Sequence, residues 1–192
     1  MHPVSQLAPI VLIALIGCGT SSLSNTGAGV PPPQQPGTGT PLSGNNTPPT
    51  SGAACEFIGP PASPIHLSLY NRLNNYRLEN GLNLLQYSRT LERSADDYAF
   101  ELVLKKFELA HVDPEGDAPS DRALDAGFCH QFVGENLAEG FETTEQVMQA
   151  WKDSPGHNAN LLGAQYDLVG VGYYFEPNGR RIWVQEFAAS RN

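Results

Sequence analysis

The chain has 192 residues, with 11 Lys and Arg against 20 Asp and Glu, for a formal net charge of −9. Every charged residue lies at or beyond Glu56, so the first 55 residues carry none. That balance excludes nucleic acid and anionic lipid surfaces as electrostatic partners. The charged part is long enough for one domain with a real core and too short for two.

From the N-terminus, Ala8 to Gly17 form an apolar run of about ten residues, too short to span a bilayer as a helix. It suits the apolar core of a secretory signal over residues 1–17. The run ends Leu15-Ile16-Gly17-Cys18, which resembles the lipobox of bacterial lipoproteins. The resemblance implies a lipid anchor at Cys18 and attachment to the cell envelope. Gly19 after that cysteine is similar to the outer-membrane pattern of Gram-negative sorting. Residues 19–54 are Gly, Pro, Ser, Thr, Asn and Gln with almost nothing large, a composition that cannot bury enough apolar area to order itself. As a coil this linker would span roughly 30–40 Å. Cys55 and Cys129 remain, and in an exported protein such a pair is most simply a disulfide. Closing a loop of about 74 residues, it would stabilise the fold by roughly 4 kcal/mol on the chain-entropy model.

The domain is expected over residues 55–192, as a monomer. Ser63-Pro64 predicts a helix start, with Leu69, Leu73 and Tyr76 on one stripe and Gly81 as the stop. Leu91, Ala95, Tyr98, Ala99 and Leu102 predict a second helix from about Thr90 to Lys106. Residues 107–117, with Pro114 and Gly116, read as a loop carrying His111. A short helix is expected over Ser120–Ala126, ended by Gly127. Phe128–Val133 reads as a strand leading into Glu135. Thr143 and Gln146 form a capping box for a helix through Asp153, burying Val147, Ala150 and Trp151. Asp167–Phe175 and Arg181–Ala188 read as strands joined at Pro177-Asn178-Gly179. Helices and hairpin are segregated, so the class is α+β with an antiparallel sheet.

These segments carry a resemblance. Asn75-Tyr76-Arg77 with Gly81-Leu82, the Ala-His111 loop, Gly134-Glu135-Asn136-Leu137 and Trp151 through Asn160 resemble, in order and spacing, the CAP superfamily. Gly170-Val171-Gly172 and Val184-Gln185-Glu186-Phe187 complete the pattern. This superfamily, also called the SCP domain, includes cysteine-rich secretory proteins, venom allergens and plant pathogenesis-related proteins. The resemblance implies a three-layer α–β–α sandwich around a small antiparallel sheet. It also implies a cleft lined by two histidines and two acids, of which His111, Glu135 and His157 match three. The position where larger members place the fourth is Ser154; Asp153, Asp113, Glu115 and Asp117 are neighbours able to substitute, and the fourth stays unassigned.

Three readings of the cleft are open. Two imidazoles and a carboxylate are the ligand types of an open zinc site, making His111 and His157 candidate ligands, although no HExxH motif is present. Without metal, a histidine serves as general base with Glu135 orienting it, the basis of a hydrolase or peptidase reading. The third is a satisfied polar network that pins loops to the sheet. Binding of a lipid, glycan or peptide is the function class expected, with hydrolysis the alternative and a structural envelope role the third. Ser154 reads as part of a helix stop rather than as a nucleophile. Asn136 and Asn160 read as braces, Trp151 as core, and Gly170 and Gly172 as positions of close packing. His66 and His130, outside any motif, are expected at the surface or a strand edge.

Overall fold

The computed structural model describes residues 57–106, 108–129, 133–176 and 179–190, together with the strand 11–15. Its elements are β1 (Val11–Leu15), α1 (Pro64–Glu79), β2 (Gln86–Tyr87), α2 (Arg89–Leu104), α3 (Pro119–Asp125), β3 (Val133–Glu139), α4 (Thr144–Asp153), α5 (Pro155–Leu161), β4 (Leu168–Phe175) and β5 (Arg181–Ala188). Cys18, the linker, Cys55 and His130 lie outside the described residues, so the expectations placed on them have no structural counterpart.

The sheet runs β1-β3-β5-β4-β2. It is antiparallel except at its short edge, where β2 pairs parallel with β4. Strand alternation sorts side chains between two helical layers. Val169, Val171, Trp183, Phe187 and Ala138 pack with Leu69 and Leu73 of α1, Val147 and Trp151 of α4 and Leu161 of α5. Ile182, Val184 and Leu137 pack on the other face with Ala95, Tyr98, Ala99 and Leu102 of α2. The result is the α–β–α sandwich that the resemblance implied.

Local signals set the helix starts. Ser63 accepts from the His66 amide at 3.3 Å with Pro64 at the first helical position, and Thr143 and Gln146 close a reciprocal capping box. Helix α2 lies unusually tight on β4. A Cβ on Gly170 would come within 2.3 Å of the Leu91 and Glu92 backbone, and one on Gly172 within 2.2 Å of the Ala95 backbone. These glycines have no side chain because the helix backbone occupies that space.

Three expectations need correction. The strand placed at 128–133 instead begins at Val133 and runs to Glu139, so the Gly-Glu-Asn-Leu motif is itself strand. Its residues Val133 through Ala138 are buried on both faces, which removes the alternation that marks a strand. Second, Ser154-Pro155-Gly156 does not only stop α4. Ser154 is also the N-cap residue of α5, with Pro155 at the first position, the same Ser-Pro pair that opens α1, although here the hydroxyl meets His157 Nδ1 and caps no amide. Third, His66 is neither at the surface nor at a strand edge: it is 5% exposed, on the same stripe of α1 as Leu69 and Leu73.

Candidate functional site

Glu135 sits on β3 on the face that carries Val133 and Leu137 toward α2 and α3, and it is fully buried. A buried carboxylate needs partners for both oxygens, and it has them. His111 Nδ1 lies 2.7 Å from Oε1, and Arg122 Nη2 donates to Oε2 at 2.8 Å. Arg122 comes from α3 and also donates through Nη1 to the carbonyls of His111 at 3.0 Å and Asp117 at 2.8 Å. Its guanidinium lies 3.5 Å from the Tyr98 ring centroid. One arginine therefore joins loop, strand and helix.

The loop that presents His111 is held from both ends. Asp113 accepts from the Asp117 amide at 2.8 Å, and the Tyr98 hydroxyl donates to the Ala110 carbonyl at 2.5 Å. Burial pushes the Tyr98 phenol up, with Arg122 pulling the other way, so it stays a donor at any ordinary pH. Beside this network is a cavity of about 250 Å³ lined by Ser94, Tyr98, Asp113, Asp117 and Arg122 among others.

Directly across the sheet from Glu135 is Glu186 on β5, also fully buried. Ser94 of α2 donates to its Oε1 at 2.9 Å. Its pKa is raised well above the ordinary carboxylate range, first by desolvation and then by the charge on Glu135, with Arg122 and the Ser94 hydrogen bond opposing. Two carboxylates opposite one another on one face cannot both ionise cheaply. Glu186 is the member whose pKa its surroundings raise.

Asn136, the next residue of β3, points to the opposite face, where α5 lies. Its amide donates to the His157 carbonyl at 3.3 Å and the Gln185 side chain at 3.3 Å. Asn160 donates to Asn136 Oδ1 at 2.9 Å and to the Glu135 carbonyl at 3.1 Å. Both asparagines are the braces expected. His157 is buried, and its Nδ1 lies 2.7 Å from the Ser154 hydroxyl, across the start of α5. The structure thus joins the His111 side chain directly to Glu135, whereas Asn136 and Asn160 reach the main-chain carbonyls of His157 and Glu135, not the His157 imidazole, whose Nδ1 lies on Ser154.

None of Asp153, Asp113, Glu115 or Asp117 bonds to Glu135 among the described residues. Arg122 does, and Glu186 is the second acid beside it; Glu186 falls inside the Val184–Phe187 motif, which does not place it in the cleft, and Arg122 lies in no motif. The signal available for Glu186 is two adjacent polar residues, Gln185-Glu186, inside an otherwise apolar strand. For Arg122 the sequence holds no comparable signal.

The donor set also tests the zinc reading. Glu135 does not fit as a ligand, because both its oxygens are engaged and a guanidinium 2.8 Å away repels a cation. His111 does fit. Its Nδ1 is held by Glu135, leaving the buried Nε2 as donor, the arrangement in which a carboxylate fixes the ring of a metal-bound histidine.

Comparison with known proteins agrees with this geometry. A model of the cysteine-rich secretory protein family, CAP, matches residues 70–187. The chain is 32% identical over 131 residues to the uncharacterized protein YkwD of Bacillus subtilis, covering 66% of this chain and 49% of that one. It therefore spans about half the length of that relative. Among solved structures, it is similar to an outer surface protein of Borrelia burgdorferi at TM-score 0.61 and 27% identity, covering 65% of this chain and 91% of that one. An extracellular SCP-domain protein of Bacillus anthracis shares the fold at TM-score 0.61 and 23% identity, covering 69% of this chain and 45% of that one. Buried Glu135 with its histidine, the helix start that carries His157, helices α2 to α5 and most of α1 lie within the matched stretch, and the chain belongs to the cysteine-rich secretory protein (CAP) family.

Proposed function

We propose that this domain is an extracytoplasmic recognition module, tethered to the cell envelope by a lipid on Cys18 and a linker over residues 19–54. It holds a lipid, glycan or peptide at the surface around His111. The observation that carries this reading is the engagement of both Glu135 oxygens by His111 and Arg122. A carboxylate so committed is a fixed anchor that orients His111 and is not a free base. The outer-surface placement of the similar Borrelia burgdorferi protein supports the compartment. Export also accounts for the cysteines. Cys129 is disulfide-bonded, and we assign Cys55 as its partner. The domain acts as a monomer without nucleic acid.

The test is thermal unfolding of the mature domain against panels of phospholipid vesicles, glycans and peptides. A true ligand at a hundred times its Kd stabilises the native state by about 2.7 kcal/mol, and Glu135→Gln should weaken that effect. A panel without any stabilising member would sink the reading.

A second reading has one observation in its favour. Two carboxyls facing each other on one sheet face, with the Glu186 pKa raised by burial, resemble the paired acids used in acid–base hydrolysis, and zinc on His111 and His157 would add a Lewis acid. Turnover of peptide or ester substrates that is lost in both Glu186→Gln and Glu135→Gln, with folding intact, would favour a hydrolase. Equal rates in wild type and variants would remove it.

A further inference from the structure

Strand β3 lies between β5 and β1, and its two sides differ in how their main-chain groups are served. The Gly140 amide donates to the Arg181 carbonyl at 3.0 Å, so by the alternation of an antiparallel pair the main-chain groups of Ala138, Asn136 and Gly134 also point to β5. Those of Glu135, Leu137 and Glu139 point the other way, to Leu15, Ile13 and Val11 of β1. On that second side the carbonyls have help. The Glu135 carbonyl accepts from Asn160 at 3.1 Å, and the Leu137 carbonyl accepts from the Trp151 indole at 3.3 Å. Among the described residues no side chain serves the amides of Glu135, Leu137 or Glu139, and β1 is what faces them.

Strand β1 belongs to the segment that the processing proposed above removes, and the inference here rests on that reading. Without β1, β3 is an edge that lacks the usual guards against pairing. It holds neither Lys nor Pro, and its register with β5 is continuous from Val133 to Glu139, without a bulge. Its two acids are tied off, Glu135 by His111 and Arg122, and Glu139 by Arg180 at 2.8 Å. What remains is a row of three amides two residues apart, a spacing of about 7 Å along the strand. The carbonyls of a second extended main chain repeat at that spacing. The row also runs between the helical layers, with Leu137 on the face of α2 and Asn136 and Ala138 on the face of α4 and α5.

We infer that the mature β3 edge takes an extended, apolar peptide of another protein as an added antiparallel strand, in the register that Val11–Leu15 holds here. The segment seated there sets the chemistry: Val-Leu-Ile-Ala-Leu is uncharged, β-branched at two of its five positions and has an amide and a carbonyl at every residue. In strand addition the main chain supplies affinity and alternate side chains supply choice. The position opposite Glu135 falls on the face of the His111–Glu135 pair, and the position opposite Asn136 on the face of α5, so one peptide addresses both sides of the candidate site. The antiparallel direction carries the peptide's N-terminal extension past Glu139 toward Gly140 and Phe141. Those two residues line a cavity of about 710 Å³ with Gln146, Gln149 and Ala150 among others, which gives room to side chains beyond the paired stretch. A second copy of this chain is a poorer occupant, because each copy carries a net charge of −9. The linker over residues 19–54 is poorer still, since its prolines have no amide to give.

The test compares the full chain with the chain from residue 18, carrying Cys18→Ser, and its probe is a synthetic peptide of residues 11–15 flanked by lysines for solubility. The probe should bind the shorter chain one to one and the full chain about tenfold more weakly or worse, because β1 competes. In the complex, amide exchange should slow at Glu135, Leu137 and Glu139 and stay unchanged at Asn136 and Ala138, which β5 already holds. N-methylation of the probe residue opposite Leu137 should weaken binding about tenfold or more, whereas the isomer methylated opposite Ala138, identical in charge, should lose far less. No binding to the shorter chain, equal binding to both chains, equal loss in the two isomers, or slowed exchange elsewhere overturns the inference. Slowing of the same three amides with protein concentration alone also overturns it, by making a second copy the occupant. A probe that fails while a lipid or glycan still stabilises the domain leaves the recognition reading standing without this edge. Protein recovered from cells with residues 1–17 still attached removes the processing, and the mature edge with it.

Discussion

The two faces of α2 handle buried charge in opposite ways. Toward the sheet and α3, Ser94 and Tyr98 belong to a network in which Glu135 meets a histidine and an arginine and Glu186 has its pKa raised. Toward α1, His66 stands between two carboxylates without a hydrogen bond of its own among the described residues. The first arrangement engages both oxygens of Glu135 with protein groups, while His111 Nε2, Arg122 Nε and Glu186 Oε2 make no hydrogen bond among the described residues. The second is oriented by Tyr87, Arg89 and two backbone amides, and its imidazole meets both acids, Glu92 and Asp96, at ion-pair distance.

The sharpest way to break the Glu135 side is to remove its cation. Arg122→Ala leaves Glu135 buried without its guanidinium, and should cost about 3–5 kcal/mol, read as a lower denaturation midpoint with an unchanged slope. The same variant should free the His111 loop, seen as faster amide exchange over residues 111–117. Next in size is Gly172→Ala, which forces a methyl against the Ala95 backbone. It should cost roughly 1–3 kcal/mol and disturb both faces of α2 together, where Arg122→Ala disturbs one.

Glu186→Gln is expected to act in the other direction. A carboxyl whose folded pKa is raised binds its proton more tightly in the native state. Below about pH 4.3 the folded and unfolded chains both carry it. As pH rises further the unfolded chain ionises first, so the wild type loses stability with rising pH until the folded group also titrates. Glutamine removes that loss, and the variant should gain stability at pH 7–8 and nothing near pH 4. A gain independent of pH would show that Glu186 is ionised in the fold. The smallest effect belongs to the cap of α4: Thr143→Ala should cost about 1 kcal/mol and leave both clusters untouched, providing the baseline for the rest.

Signals in the chain that are local are legible, and those that depend on tertiary contact are not. The bounds of β5, the capped starts of α1 and α4 and the close approach at Gly170 and Gly172 follow from turn chemistry, periodicity and side-chain size. Pattern alone puts strand β3 five residues early, because a centrally placed strand buried on both faces loses its period. Glu135 and Asn136 look like turn residues when only neighbours are considered. Helix α5 escapes notice although Ser154-Pro155 repeats the pair Ser63-Pro64. His66 is legible in principle, since it falls three residues before Leu69 on the apolar stripe. Arg122 is not, because its importance lies in a carboxylate thirteen positions away.

Strand β1 pairs with the outer side of β3 from Val11↔Glu139 to Leu15↔Glu135. Proteolytic maturation before Cys18, as proposed, detaches that segment and converts an internal strand into a border strand. Its newly bared amides and carbonyls then run alongside Glu135 and Asn136, at the very place where the two faces of the site adjoin. On that proposal, processing of the precursor would at the same time present an unsaturated main-chain ladder to the exterior.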